Sequence, residues 1–219
     1  MADFRLRIGF AKTGAAIWLS HLEVVRAMER CVRRSGLPCA ISQGFSPHMK
    51  HSFTAALPVG TGSTGEYMDV ELVSLIDLEQ ALGALRAAQH EYLPVLSTTY
   101  APKDEPSLQV YFNQADYRIE LEDYSGTLAS DLCERLSARP QITVIKKNKP
   151  KAYDLNHYVV DVTVDQDNSN TINLSLLSLP EGSLRPEVIL EAIAKPDFEP
   201  RITGITRIAL KHKDLPTLT

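Results

Sequence analysis

The chain has 219 residues, 44% of them hydrophobic and 23% charged, enough apolar content for a buried core. It holds no run of 18 apolar residues, and its opening MADFRLRIGF is charged without an apolar stretch; this predicts neither a membrane span nor a secretory leader and points to the cytoplasm. The net charge of −4 is uneven: residues 1–60 carry eight Lys/Arg against three acids, a balance of +5, and the remainder fifteen against twenty-four, a balance of −9.

Residues 3–11 alternate Phe4, Leu6, Ile8 and Phe10 with polar or small neighbours, the period-2 pattern of a half-buried strand. Ser20-His21-Leu22-Glu23 is a capping box, so a helix begins there. Leu22, Val25, Met28 and Val32 are expected to face its core, with Arg26, Arg30, Arg33 and Arg34 on the other side and Gly36-Leu37-Pro38 ending it. A Gly44-Phe45-Ser46-Pro47-His48 turn leads into a short strand near 52–57. A glycine-rich connection through Gly60, Gly62 and Gly65 then enters an alternating strand at 67–72. A second helix over 77–89, capped by Asp77 and striped by Leu78, Ala81, Leu82 and Leu85, precedes a closing strand at 93–100.

APKDEPSLQ at 101–109 reads as part of a linker over 101–114. Beyond it come a strand at 115–122, a helix at 127–138, and strands near 141–147, 159–165 and 171–179. A helix opening at Arg185-Pro186 and a strand at 202–211 follow, with one extra strand allowed. The predicted architecture is α+β, two tandem ferredoxin-like βαββαβ units over 1–100 and 115–219.

The chemistry that is absent is informative. The chain has no Cys-x3-Cys-x2-Cys run, no paired CxxC knuckles, neither common glycine-rich phosphate loop and no G-x-S-x-G elbow. No cofactor or metal is therefore expected. The three cysteines, Cys31, Cys39 and Cys133, are odd in number and scattered, as suits reduced thiols. The expected binding surface for nucleic acid or a partner consists of Lys12, His21, Arg26, Arg30, Arg33, Arg34, Phe45, His48 and Lys50. Phe45 either stacks on a base or plugs the turn against the sheet. His48 and His51, with Lys50 between them, are placed either for acid–base cleavage of RNA or for bonding backbone groups at the turn. A second basic cluster, Lys146, Lys147, Lys149 and Lys151, falls just past a strand of the other half.

The stretches KTG…WLSHLEVVRAMERCVRRSGLP and SQGFSPHMKHSFTAALPVG…GEYMDVEL, with LPEGSLRPEVILEAI later, closely resemble the radical SAM-linked proteins (DUF2344), a bacterial family of unknown function. Met49 stands where that family commonly has proline. The resemblance implies a domain fused to, or encoded beside, a cobalamin-binding radical SAM protein, with a role around RNA or the ribosome. It carries no catalytic residues. Without cluster cysteines, the chain is expected to be a non-catalytic accessory module that presents an RNA or ribonucleoprotein substrate to a radical SAM partner. A metal-independent ribonuclease using His48, His51 and Lys50, and a pure protein–protein adaptor, stand as alternatives.

Overall fold

The computed structural model describes residues 4–123, 126–146, 149–180, 182–194 and 200–212. The N-terminal alternation forms β1 (Phe4–Lys12), but the strand is covered on both faces rather than one. Leu6, Ile8 and Phe10 point to one side, while Arg7 and Lys12, each only 2% exposed, are buried as well. It sits between β3 (Thr61–Leu72) and β4 (Val95–Ala101), antiparallel to both, and β2 (His51–Phe53) pairs with the far edge of β3. The order β4-β1-β3-β2 follows, with every neighbour antiparallel. This belongs to the first of two units into which the chain divides, Met1–Phe112 and Asn113–Thr219.

Helices α1 (His21–Arg34) and α2 (Leu78–Ala88) cover the apolar face of this sheet. Both start where their caps predict. Ser20 accepts the Glu23 N–H while the Glu23 carboxylate accepts the Ser20 N–H at 2.8 Å, and Asp77 accepts the Gln80 N–H at 2.9 Å. The expected stripe of α2 is borne out, with Ala81 and Leu85 buried and Leu78 and Leu82 packed against the core. That of α1 holds at Met28 and Val32, which are buried, and at Val25, which packs against the core; Leu22, 65% exposed, is the exception, and Val24 and Cys31 are buried in addition. At about 100° per residue Leu22 lies roughly opposite Val24 and falls outside the stripe that Val24, Val25, Met28, Cys31 and Val32 share.

Two connections predicted to be irregular are ordered. The glycine-rich segment is the first half of β3, which already begins at Thr61; Thr61 and Ser63 are buried, and small residues are admitted where another strand approaches closely. The expected linker holds a short helix, α3 (Leu108–Tyr111), whose Leu108 is fully buried. Phe112 stacks on Tyr67 at 4.7 Å, and Arg7 lies 5.2 Å from the Tyr111 ring centre while pairing bidentately with Asp69 and with Glu105. Burial works against the Arg7 charge, but the bonds to Asp69 and Glu105 outweigh it and push its pKa up. Proline and charge thus mark a cover for the polar face of the sheet.

In the second unit, β5 (Gln114–Leu121) lies between β10 (Ile202–Lys211) and β9 (Thr171–Leu177), and β8 (Val159–Val164) adds to β9. The order is β10-β5-β9-β8, again antiparallel throughout. Helices α4 (Leu128–Ser137) and α5 (Pro186–Ile193, with its proline in the first turn) complete a core that includes Ile119, Leu132, Leu136, Ile172, Ile189 and Leu190. The strand in excess of the βαββαβ set is β6 (Gln141–Lys146), which forms a hairpin separate from the main sheet with β7 (Lys149–Asp154), a strand not expected from the sequence. Lys149 and Lys151 therefore stand on a strand instead of a loop, Lys151 over the Tyr153 ring at 4.8 Å, while Lys147 lies outside the described residues. The chain is an α+β protein built on antiparallel sheets.

Candidate nucleic-acid interface

Burying the apolar stripe of α1 turns its opposite face to solvent. Arg26, Arg30, Arg33 and Arg34 are all exposed. Arg33 meets Glu29 one turn away at 4.0 Å, and among the described residues Arg26, Arg30 and Arg34 make no ion pair. Arg33 and Arg34 also fall in the last turn, where cations complement the negative end of the helix dipole. Four guanidinium groups on one face form a row of bidentate donors suited to phosphate.

Glu29 interrupts this row for a structural reason. Its carboxylate bonds the His51 Nε2 at 2.7 Å, tying α1 to β2, and His51 also meets the Phe53 ring edge-on at 5.4 Å. The His51 Nδ1 is buried and has no hydrogen-bond partner among the described residues.

The Gly-Phe-Ser-Pro-His segment is a loop closed at its neck. Ile41 pairs with Met49, the Ser42 N–H donates to the His48 carbonyl at 2.8 Å, and the His48 N–H donates to the Ser42 hydroxyl at 3.1 Å. The His48 Nδ1 lies 3.0 Å from that same hydroxyl. At the tip Phe45 is 111% exposed, more than in an extended reference chain, which excludes its reading as a plug against the sheet. Met49, at the proline position, is 3% exposed and serves as the buried anchor of the neck.

His48, Lys50 and His51 line one groove of about 420 Å³ together with Arg5, Asp69 and Glu71. Their polar ends are engaged separately: Lys50 Nζ with Glu71 at 3.2 Å, His51 with Glu29, and His48 with Ser42. Arg5 Nε is 3.7 Å from Asp69. Charge in this groove is balanced, in contrast to the helix face. Among the described residues, no three His, Cys, Asp or Glu side chains are grouped to hold a metal ion.

The structure moves two expected residues off the solvent face. Lys12 is buried and borders a small cavity of about 20 Å³, the size of a single water, with His21, Thr54 and Glu66. His21 is half-buried there, its ring edge-on to Phe53 at 5.9 Å. Glu66 accepts from Thr54 at 3.0 Å and from Ser63 at 2.6 Å, so this is a buried polar cluster under the start of α1. Lys12 ends a strand buried on both faces, and its ammonium is withdrawn from any surface groove. Sequence reasoning missed Trp18, exposed just ahead of the helix, and the Glu29–His51 pair. A tryptophan two residues before an N-cap was the available signal for the first. The second joins residues 22 apart and left none.

Residues 5–186 match the model of a family described as an uncharacterized protein conserved in bacteria, DUF2344. The chain belongs to DUF2344. The match spans the arginine helix, the closed loop and the groove, and ends at Pro186, the first residue of α5. No curated protein matches the chain. DUF2344 membership thus defines a lineage for these features and assigns them no activity.

Proposed function

We propose that this DUF2344 protein is an accessory module that binds RNA, or an RNA-containing particle, through the solvent-facing arginines of α1 and presents it to a radical SAM partner in the cytoplasm. One observation carries the reading: Arg26, Arg30 and Arg34 stand exposed and unpaired among the described residues, in a block of balance +5 within a chain of net −4. Such a cationic row attracts a polyanion by counterion release, and exposed Phe45 adds an aromatic ring beside His48. The radical SAM partner rests on the family resemblance. The strand orders β4-β1-β3-β2 and β10-β5-β9-β8 support reading both units as ferredoxin-like.

Replacing Arg30 and Arg34 together by glutamate tests the RNA reading in a gel-shift at moderate salt. Loss of the shifted band is expected, and unchanged binding overturns the reading. Co-purification from a bacterial lysate after nuclease treatment tests the partner.

The groove lined by His48, Lys50 and His51 favours a second reading, a metal-independent ribonuclease. RNA cleavage in EDTA that disappears in His48→Ala supports it, and intact RNA excludes it.

A further inference from the structure

The single tryptophan of the chain, Trp18, closes a 3-10 turn (Gly14–Trp18) immediately before α1, and its indole is 67% exposed. An exposed indole offers a wide flat apolar face with a polar N–H at its edge, suited to stacking. The ring has a defined seat. A Cβ on Gly60 would lie 3.3 Å from the six-membered ring of Trp18, and the Gly60 N–H donates to the Ile17 carbonyl at 2.8 Å. Gly60 has φ +87°, a left-handed conformation that favours glycine, so the same residue makes the turn and leaves room for the indole.

Val59, next to Gly60 in the chain, is 57% exposed, and Leu22, the second residue of α1, is 65% exposed. Leu22 is one helical turn before Arg26, two before Arg30 and three before Arg33–Arg34, so an apolar end runs into a cationic ridge along α1. From Arg26 to Arg34 the ridge is about 12 Å long, in a helix of 14 residues.

An aromatic platform three residues before a helix that carries a guanidinium track matches unpaired nucleotides. A single strand offers a base face to the ring and phosphates to the arginines, whereas a duplex keeps its bases stacked and offers phosphates alone. We propose that Trp18 is a stacking platform for an unpaired base and that this surface takes single-stranded nucleic acid, its phosphates following Arg26, Arg30 and Arg33. The inference rests on the RNA-binding reading and specifies its substrate as single-stranded.

Because Trp18 is the only tryptophan, its fluorescence reports the site directly. The full-length protein is titrated with a 12-nucleotide oligouridylate and with a duplex RNA of equal length, far-UV circular dichroism serving as the check on folding. The single strand is expected to quench the emission and to bind at least about tenfold more tightly than the duplex, with a similar loss of single-strand affinity in Trp18→Ala and most of it kept in Trp18→Phe. Equal binding of duplex and single strand, or unaltered affinity in a folded Trp18→Ala, overturns the platform while leaving the arginine reading intact. Failure of both RNAs to bind, with capture of polyglutamate instead, assigns the surface to an acidic protein partner and overturns both.

Discussion

Ser20 shows how far a single residue reaches. Its hydroxyl and the Glu23 carboxylate satisfy donors at the start of α1 that no helical carbonyl can reach, and the bonds from Ser20 hold the Glu23 carboxyl below its ordinary pKa. Ser20→Ala is expected to lower stability by about 1 kcal/mol, seen as a lower urea midpoint with an unchanged slope. The cysteines behave oppositely. Burial pushes the Cys39 and Cys133 thiols up to about 11, so both stay protonated and react slowly with disulfide reagents near pH 8 until the protein is unfolded. The sign of the linkage follows. Between the ordinary thiol value and about 11 the unfolded chain has lost protons that the folded one keeps, so stability is full below that window and falls as pH rises through it. A urea midpoint that rises above pH 9 would contradict this assignment.

Among the elements, the helices were the most legible. Caps and a 3.6-residue period are local, and α1 and α2 start at the residues their caps predict. The phase of α1 was legible except in its first turn, because Leu22 and Val24 are both apolar in one dimension and only the sheet beneath decides which is covered. Strand β1 illustrates the same limit. Its alternation reads as one wet face, yet α3 covers that face and gives Arg7 partners from β3 and from the segment before α3. Leu108→Ala, at a fully buried position of the supposed linker, is expected to cost about 2–5 kcal/mol in urea unfolding, an exposed linker residue almost nothing. Arg7→Ala, which would leave Asp69 buried beside an empty guanidinium site, is expected to cost about 3–5 kcal/mol in the same assay.

For the molecule as a whole, the charge of −4 disfavours nucleic acid, and the proposed RNA binding rests on the local +5 block. With up to four arginines on phosphates, the logarithm of affinity for a single strand is expected to fall with the logarithm of salt at a slope of about −3, and more shallowly in the Arg30→Glu, Arg34→Glu variant. A slope near zero in both would remove the electrostatic basis of the interface. Chain-local chemistry was enough for the α+β class, the caps, the arginine face and the charge asymmetry, because each depends on residues within a few positions of one another. Long-range packing decided the rest. It buried Lys12 and half-buried His21 at the start of the arginine helix, left Phe45 and Trp18 in water, joined Glu29 to His51, and made a cover of the apparent linker. Burial of a polar group depends on which distant strands and helices close over it, and no window of sequence contains that information.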